Sequence, residues 1–286
     1  MHFADAATAW WVWPLALFVL TFFLGIVAVV AGVGGGVLFV PIVASFFPFH
    51  LDYVRGAGLV LALTGTLAAS PTLLRSGLAN LRLVLPIALA GSICSLAGAV
   101  IGFALPVNFV QTALGVIIIA VALLLLIAKG EDHGGMRTDP LGEALGLAGR
   151  YEDPKAGPIE WRTRRTALGI ASFGGIGFVG GLFGLGAGWA NVPALNLLMG
   201  APLKLAVGTS GLAISIINSS AAWVYISRGA LLPVVAMPSI LGVMLGSRIG
   251  ARLLHGMSSV MVRRIVITVL AIAGARALLR GIGVWP

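Results

Sequence analysis

The stretch Gly25-Ile26-Val27-Ala28-Val29-Val30-Ala31-Gly32-Val33-Gly34-Gly35-Gly36-Val37-Leu38-Phe39-Val40-Pro41 occurs again as Gly177-Phe178-Val179-Gly180-Gly181-Leu182-Phe183-Gly184-Leu185-Gly186-Ala187-Gly188-Trp189-Ala190-Asn191-Val192-Pro193. Gly25, Val27, Gly32, Gly34, Gly36, Val40 and Pro41 are identical in the second copy. The offset of 152 continues without a gap, so that Gly56, Gly77, Pro86 and Gly98 return as Gly208, Gly229, Pro238 and Gly250, and residues 25–126 align with 177–278. The chain contains itself twice. In a membrane protein, hydrophobic segments interrupted by glycine at matching positions of two halves point to a transporter's binding site.

Composition supports a membrane setting. The chain is 59% hydrophobic and 9% charged with a mean hydropathy of +1.07, against ~25% charged residues in soluble domains. Apolar stretches run over 14–48, 57–74, 83–105 and 108–128, then 166–200, 206–227, 230–254 and 262–281; a span needs about 20 residues. No Lys or Arg precedes the first of them, so the basic start of a cleaved signal peptide is missing. Trp10, Trp11 and Trp13 just before it suit the membrane interface, giving an interfacial segment over 1–13. The single cysteine, Cys94, excludes an intrachain disulfide and a cysteine metal cluster. No cofactor or metal site is expected.

The net charge of +9 does not signal nucleic acid, because of where it lies. Segment 129–165 carries seven basic and seven acidic residues, whereas the rest has eleven basic residues against Asp5 and Asp52. The excess sits in the apolar halves, so anionic lipid or an anionic substrate must balance it. The chain divides into the segment 1–13, a first transmembrane repeat 14–128, a charged cytoplasmic linker 129–165 and a second repeat 166–286.

Segments 14–48 and 166–200 are too long for one crossing, since 35 residues make about 52 Å of helix against a core of ~30 Å. Each is cut by its glycine cluster into a longer helix and a shorter one. Irregular backbone at that depth must be covered by protein or line a cavity. Positive charge bears on orientation: with the linker in the cytoplasm, Arg75 and Arg82 fall on the same side. The loop around 102–112 has no basic residue, yet its counterpart in the second half is flanked by Arg248, Arg252, Arg263 and Arg264. Opposite orientation of the halves explains the difference. An all-α polytopic protein of five plus five segments in inverted repeats is therefore favoured over four plus four in parallel. Arg228 fits this topology worst.

The glycine loops offer backbone N–H groups at the start of a short helix, a setting that favours anions. Gly34, Gly35, Gly36, Gly186, Ala187 and Gly188 are the candidate donors, with Pro41 and Pro193 suited to the first helical turn. Close helix packing through small residues is the competing use. Neither loop has the Gly-Lys-Ser/Thr of a nucleotide site. On the following helix Thr66 and Ser70 share one face, as do Ser215, Asn218 and Ser219 in the second half, and Asn191 lies inside the second loop. These side chains, with Thr209 and Ser210, are the candidate cavity lining; Ser and Thr also bond their own helix backbone. Arg55, Arg75, Lys204 and Arg228 are placed to attract an anion, or to anchor at the interface. Gly208-Thr209-Ser210-Gly211 matches the G-x-S-G of intramembrane serine proteases, with His255 as a base. That is the enzymatic alternative, and it is weak in a chain with 40 glycines.

The paired segments Gly32–Pro41 and Gly184–Pro193, followed by Ala206-Val207-Gly208-Thr209-Ser210, resemble the sulfite exporter TauE/SafE family of two-repeat bacterial membrane transporters. The resemblance covers about 25–128 and 165–281; the first half departs from it at Val54-Arg55-Gly56-Ala57-Gly58. It implies movement of sulfite, organosulfonates or related small anions across the cytoplasmic membrane, usually outward. Uptake of another small anion is the alternative within transport, and homo-oligomers are compatible with either.

Overall fold

The computed structural model describes residues 11–47, 49–106, 139–153 and 157–281, with isolated positions between 109 and 126. Trp10 and most of the expected span 108–128 lie outside the described residues. In the first half, α1 (Val12–Ala31), α2 (Gly35–Phe46), α3 (Leu51–Arg75) and α4 (Leu81–Gly102) follow one another. The linker contains a short α5 (Pro140–Ala144) and the strands β1 (Ala148–Asp153) and β2 (Gly157–Arg162). The second half has α6 (Thr166–Phe183), a broken helical run over 187–198, α7 (Leu203–Ser227), α8 (Pro233–Gly256) and α9 (Ser259–Gly281). Among the described residues, six helices are long and apolar enough to cross a membrane: α1, α3, α4, α6, α7 and α8 up to Leu254. The protein is an all-helical, multi-pass membrane protein.

The duplication is kept in backbone conformation. Gly32 and Gly184 end α1 and α6 with φ of 67° and 68°, and Gly34 and Gly186 follow with φ of 73° and 80°. The amide of Gly32 turns back to Ala28 and Val29, and that of Gly184 to Gly181, so helix-end carbonyls find partners. Each half then returns to where it entered. Trp13 meets Phe47 edge to face at 5.3 Å, and the Arg164 amide donates to the Met199 carbonyl at 3.0 Å. The glycine-broken pairs are thus helical hairpins with the glycines at their tips. The shorter arm explains the return: α2 has 12 residues, about 18 Å of helix, against a ~30 Å core.

The equivalent helices α3 and α7 pack antiparallel. A Cβ placed on Gly56 would run into Ala230, and one on Gly208 into Leu78, so the start of each helix lies beside the turn that ends the other. The two hairpins consequently enter from opposite ends of the bundle. Their tips meet: a Cβ on Gly36 would strike the Leu185 carbonyl and one on Gly188 the Val33 carbonyl, and Val33 and Leu185 are themselves equivalent. Such reciprocity is the mark of two-fold symmetry. Elsewhere α1 runs parallel to α8 and α4 parallel to α6, since their glycine contacts ascend together, as at Gly177 on Gly91 and Gly181 on Ser95. Glycines bring the backbones together, with Gly242, Gly246 and Gly250 against Phe18, Phe22 and Ile26.

Two expectations are corrected. Pro41 is not in a first helical turn, because the left-handed Gly34 lets α2 begin at Gly35 and leaves the proline in its second turn. In the second half Ala190, at φ −130° and ψ 1°, interrupts the run, so Pro193 does sit in a first turn after a break. The linker, read only as charged, holds an antiparallel hairpin pairing Ala148 with Arg162 and Asp153 with Gly157. Trp161 is buried there against Gly149.

Candidate functional site

The point where the two hairpin tips meet is also where buried polar atoms lack partners. In the first half the tip is regular, since α2 starts at Gly35 and runs for 12 residues. In the second, residues 187–198 form a tight turn at Ala187–Trp189, a single turn at Asn191–Pro193 and a widened turn at Ala194–Leu198. The widened turn is held by Asn196, whose amide donates to the Ala201 carbonyl at 2.9 Å. One hairpin arm is therefore ordered helix and the other a series of breaks. Breaks of this kind expose backbone and aim side chains that a continuous helix would not.

Asn218 of α7 reaches the second tip. Its Oδ1 accepts from the Ala187 amide at 3.0 Å, and a Cβ on Gly186 would collide with its side-chain amide. Its Nδ2 has no partner among the described residues. Asn191 is 0% exposed and, among the described residues, neither its amide atoms nor the Trp189 indole N–H has a partner. A buried polar group left unsatisfied costs about 1–3 kcal/mol. Three such side chains therefore lie in or against one broken segment, each with a neutral N–H donor left unpaired among the described residues. Trp189 was not among the residues singled out from the sequence; its only signal was an indole next to Gly188 where the first half has Val37.

The remaining candidates are placed differently. The Thr66 hydroxyl donates to Ala62 at 2.7 Å and Ser70 to Thr66 at 2.6 Å, both along their own helix. Ser215 bonds Leu212 likewise. Ser219 is on the exposed face and donates to Ile216. The Thr209 hydroxyl accepts from the Asn80 amide at 3.2 Å, tying the turn after α3 to the start of α7. Ser210, wholly buried, donates to the Gly32 carbonyl at 2.7 Å, so the hydroxyl of the G-x-S-G match stabilises the first glycine turn.

Of the four cations, Arg55 is the clearest departure. It is 2% exposed and donates to the carbonyls of Gly102, Leu182 and Phe183 at the ends of α4 and α6, and to Asp52 at 3.3 Å. Its guanidinium lies 5.6 Å from the Tyr225 ring centroid, while the Tyr225 hydroxyl donates to Gly181 at 3.2 Å. A cation is favourable beside two helix C-termini. Arg55 is a cap shared by two helices. Lys204 is buried at the start of α7. Arg75 and Arg228 are exposed at helix ends, the latter 5.7 Å from the Phe103 ring.

Two glycine-tipped helical hairpins that meet inside a bundle of membrane-length helices fit a membrane transporter. The chain belongs to the family described as Sulfite exporter TauE/SafE, whose sequence profile matches residues 17–277. It is also similar to the Probable membrane transporter protein YunE of Bacillus subtilis (strain 168), with 25% identity over 275 residues, covering 93% of this chain and 97% of that protein. No solved structure matches the chain.

Proposed function

We propose that the protein exports a small sulfur oxyanion, sulfite or an organosulfonate, across the cytoplasmic membrane from a site at the meeting hairpin tips. The observation that carries this reading is the set of unpaired donors, Trp189 Nε1, Asn191 Nδ2 and Asn218 Nδ2, in a buried segment with Gly186 at its bend. The first-turn N–H groups of α2, which a helix cannot pair internally, add donors from the other tip. A sulfonate presents three acceptor oxygens with no proton to donate, the complement of such a surface. Neutral donors also suit transport better than a buried arginine would, because the ion must leave as well as bind.

The halves are read as inverted across the membrane. Support comes from the antiparallel course of α3 and α7 and from the charge difference between the two matched loops. Counting each hairpin as two passes or as none leaves an odd number per repeat, so the two topologies give the same sidedness. The linker and the loops 76–80 and 257–258 then share the cytoplasmic side. Thermal unfolding of the purified protein against sulfite, thiosulfate, organosulfonates and carboxylates tests the substrate class. Selective stabilisation by sulfur oxyanions is expected; equal stabilisation by carboxylates, or none by any sulfur anion, would contradict it.

A further inference from the structure

Between the second half of α3 and α8 lies an open groove of about 440 Å³ whose two ends differ chemically. Its inner part is apolar, lined by Leu67, Pro71 and Met244; its outer part carries Arg248 and Arg252. The two arginines stand one turn apart on the same face of α8, and both are exposed. Neither arginine has a carboxylate partner among the described residues. The Thr72 hydroxyl beside them also has no bonded partner among the described residues. Pro71 brings no N–H into α3, which leaves the Leu67 carbonyl without its usual helical donor at the groove wall. Exposed Leu67, Leu241 and Leu245 continue the apolar surface toward the middle of the helices. The groove is thus cationic at the level of the helix ends and greasy toward the bilayer interior.

We infer that this groove binds one anionic glycerophospholipid, its phosphate held by Arg248 and Arg252 and an acyl chain lying along Leu67 and Met244. Charge complementarity selects the headgroup: two uncompensated guanidinium groups match one phosphodiester and its ester oxygens. The apolar floor selects a lipid over a free anion. The duplication supplies an internal contrast, because the positions matching Arg248 and Arg252 in the first half are Leu96 and Val100. At the equivalent surface the positions matching Met244, Leu67 and Ala68 are Ser92, Ser219 and Ser220, and neither arginine position holds a cation, so the lipid site lies on one face of the transporter.

The test is native mass spectrometry of the full chain released from micelles containing phosphatidylglycerol or phosphatidylcholine. One phosphatidylglycerol per chain is expected to be retained, with retention at least 10-fold lower for phosphatidylcholine. The double variant Arg248→Gln/Arg252→Gln should lose that preference while keeping the wild-type melting temperature in phosphatidylcholine. Ala68→Trp, which fills the groove and leaves both charges, should lose it too. Arg150→Gln/Arg162→Gln, removing two exposed charges from the linker hairpin, should not. Retention of the preference by either groove variant, its loss in the linker variant, or displacement of the lipid by millimolar inorganic phosphate would overturn the assignment.

Discussion

Gly186→Ala and Gly34→Ala differ in one respect that isolates the donor cluster. Both residues occupy the same repeat position at positive φ with extended ψ, 80° and 170° for Gly186 and 73° and 148° for Gly34, a region essentially reserved for glycine, so an added Cβ costs each about 1–3 kcal/mol of strain. At Gly34 the new methyl would meet the Ile214 side chain at 3.2 Å and Ala62 at 3.7 Å, contacts that a small rotamer shift relieves. At Gly186 it would meet the Asn218 amide, with Oδ1 at 2.8 Å and Cγ at 2.9 Å. Asn218 must then turn away and release the 3.0 Å bond from the Ala187 amide, leaving that buried N–H unpaired. The further cost is about 1–3 kcal/mol, or roughly 5- to 150-fold in substrate binding if it falls on the site. Sulfite flux and thermal unfolding, measured on the same reconstituted preparations, separate the two contributions. A larger loss of melting temperature is expected for Gly186→Ala, and at equal folded protein its flux should fall further as well, by up to about 5- to 150-fold where the lost bond shapes the site. Equal flux in the two variants, at equal protein, would refute the role given to Asn218.

Three other outcomes follow from the same geometry. Asn191→Leu removes a wholly buried amide with no partner among the described residues, so the melting temperature should hold or rise while flux drops 10-fold or more; a lower melting temperature with normal flux would contradict the site. Arg55→Ala strips helix-end carbonyls of α4 and α6 of a charged donor, costing about 3 kcal/mol and roughly 5–10 °C in melting temperature, with Arg55→Lys recovering part of it. Burial pushes the Asp139 carboxyl up, but the amides of Thr166 and Gly142 outweigh it and hold its pKa below the ordinary 3.8. A lowered folded pKa gives stability that is complete above the unfolded value and is lost as pH falls through the folded one. Acidification below about pH 3.8 should therefore destabilise the wild type more than Asp139→Asn, as thermal unfolding against pH would record.

Much of this architecture was legible because duplication doubles every signal. The matched glycines placed the breaks, and all four tip glycines, Gly32, Gly34, Gly184 and Gly186, have positive φ. Comparing charge at matched loops is what favoured opposite orientation of the halves, the arrangement proposed above. The return of each hairpin to its starting end was not legible, since length gives the distance a helix travels and not its direction; the contacts Trp13–Phe47 and Arg164–Met199 give it. Hydroxyl positions were read by helical spacing, which cannot distinguish a side chain facing a cavity from one bonded to the carbonyl one turn back, as Thr66 and Ser70 are. Arg55 was misjudged for a related reason. A basic residue near a helix start looks like an interfacial charge until the ends of α4 and α6 are brought to it from 47 and 127 or more residues away. The linker hairpin carried an alternation, Ile159-Glu160-Trp161-Arg162, hidden by its dense charge.

Counterflow of labelled sulfite into proteoliposomes preloaded with sulfite, run on the wild type beside Asn191→Leu, tests the central claim most directly. The account predicts saturable exchange by the wild type, competed by organosulfonates and not by carboxylates, and its near loss in a variant that stays folded. Absence of sulfur-anion exchange in a folded wild type that exchanges carboxylates, or undiminished exchange by Asn191→Leu, would contradict it.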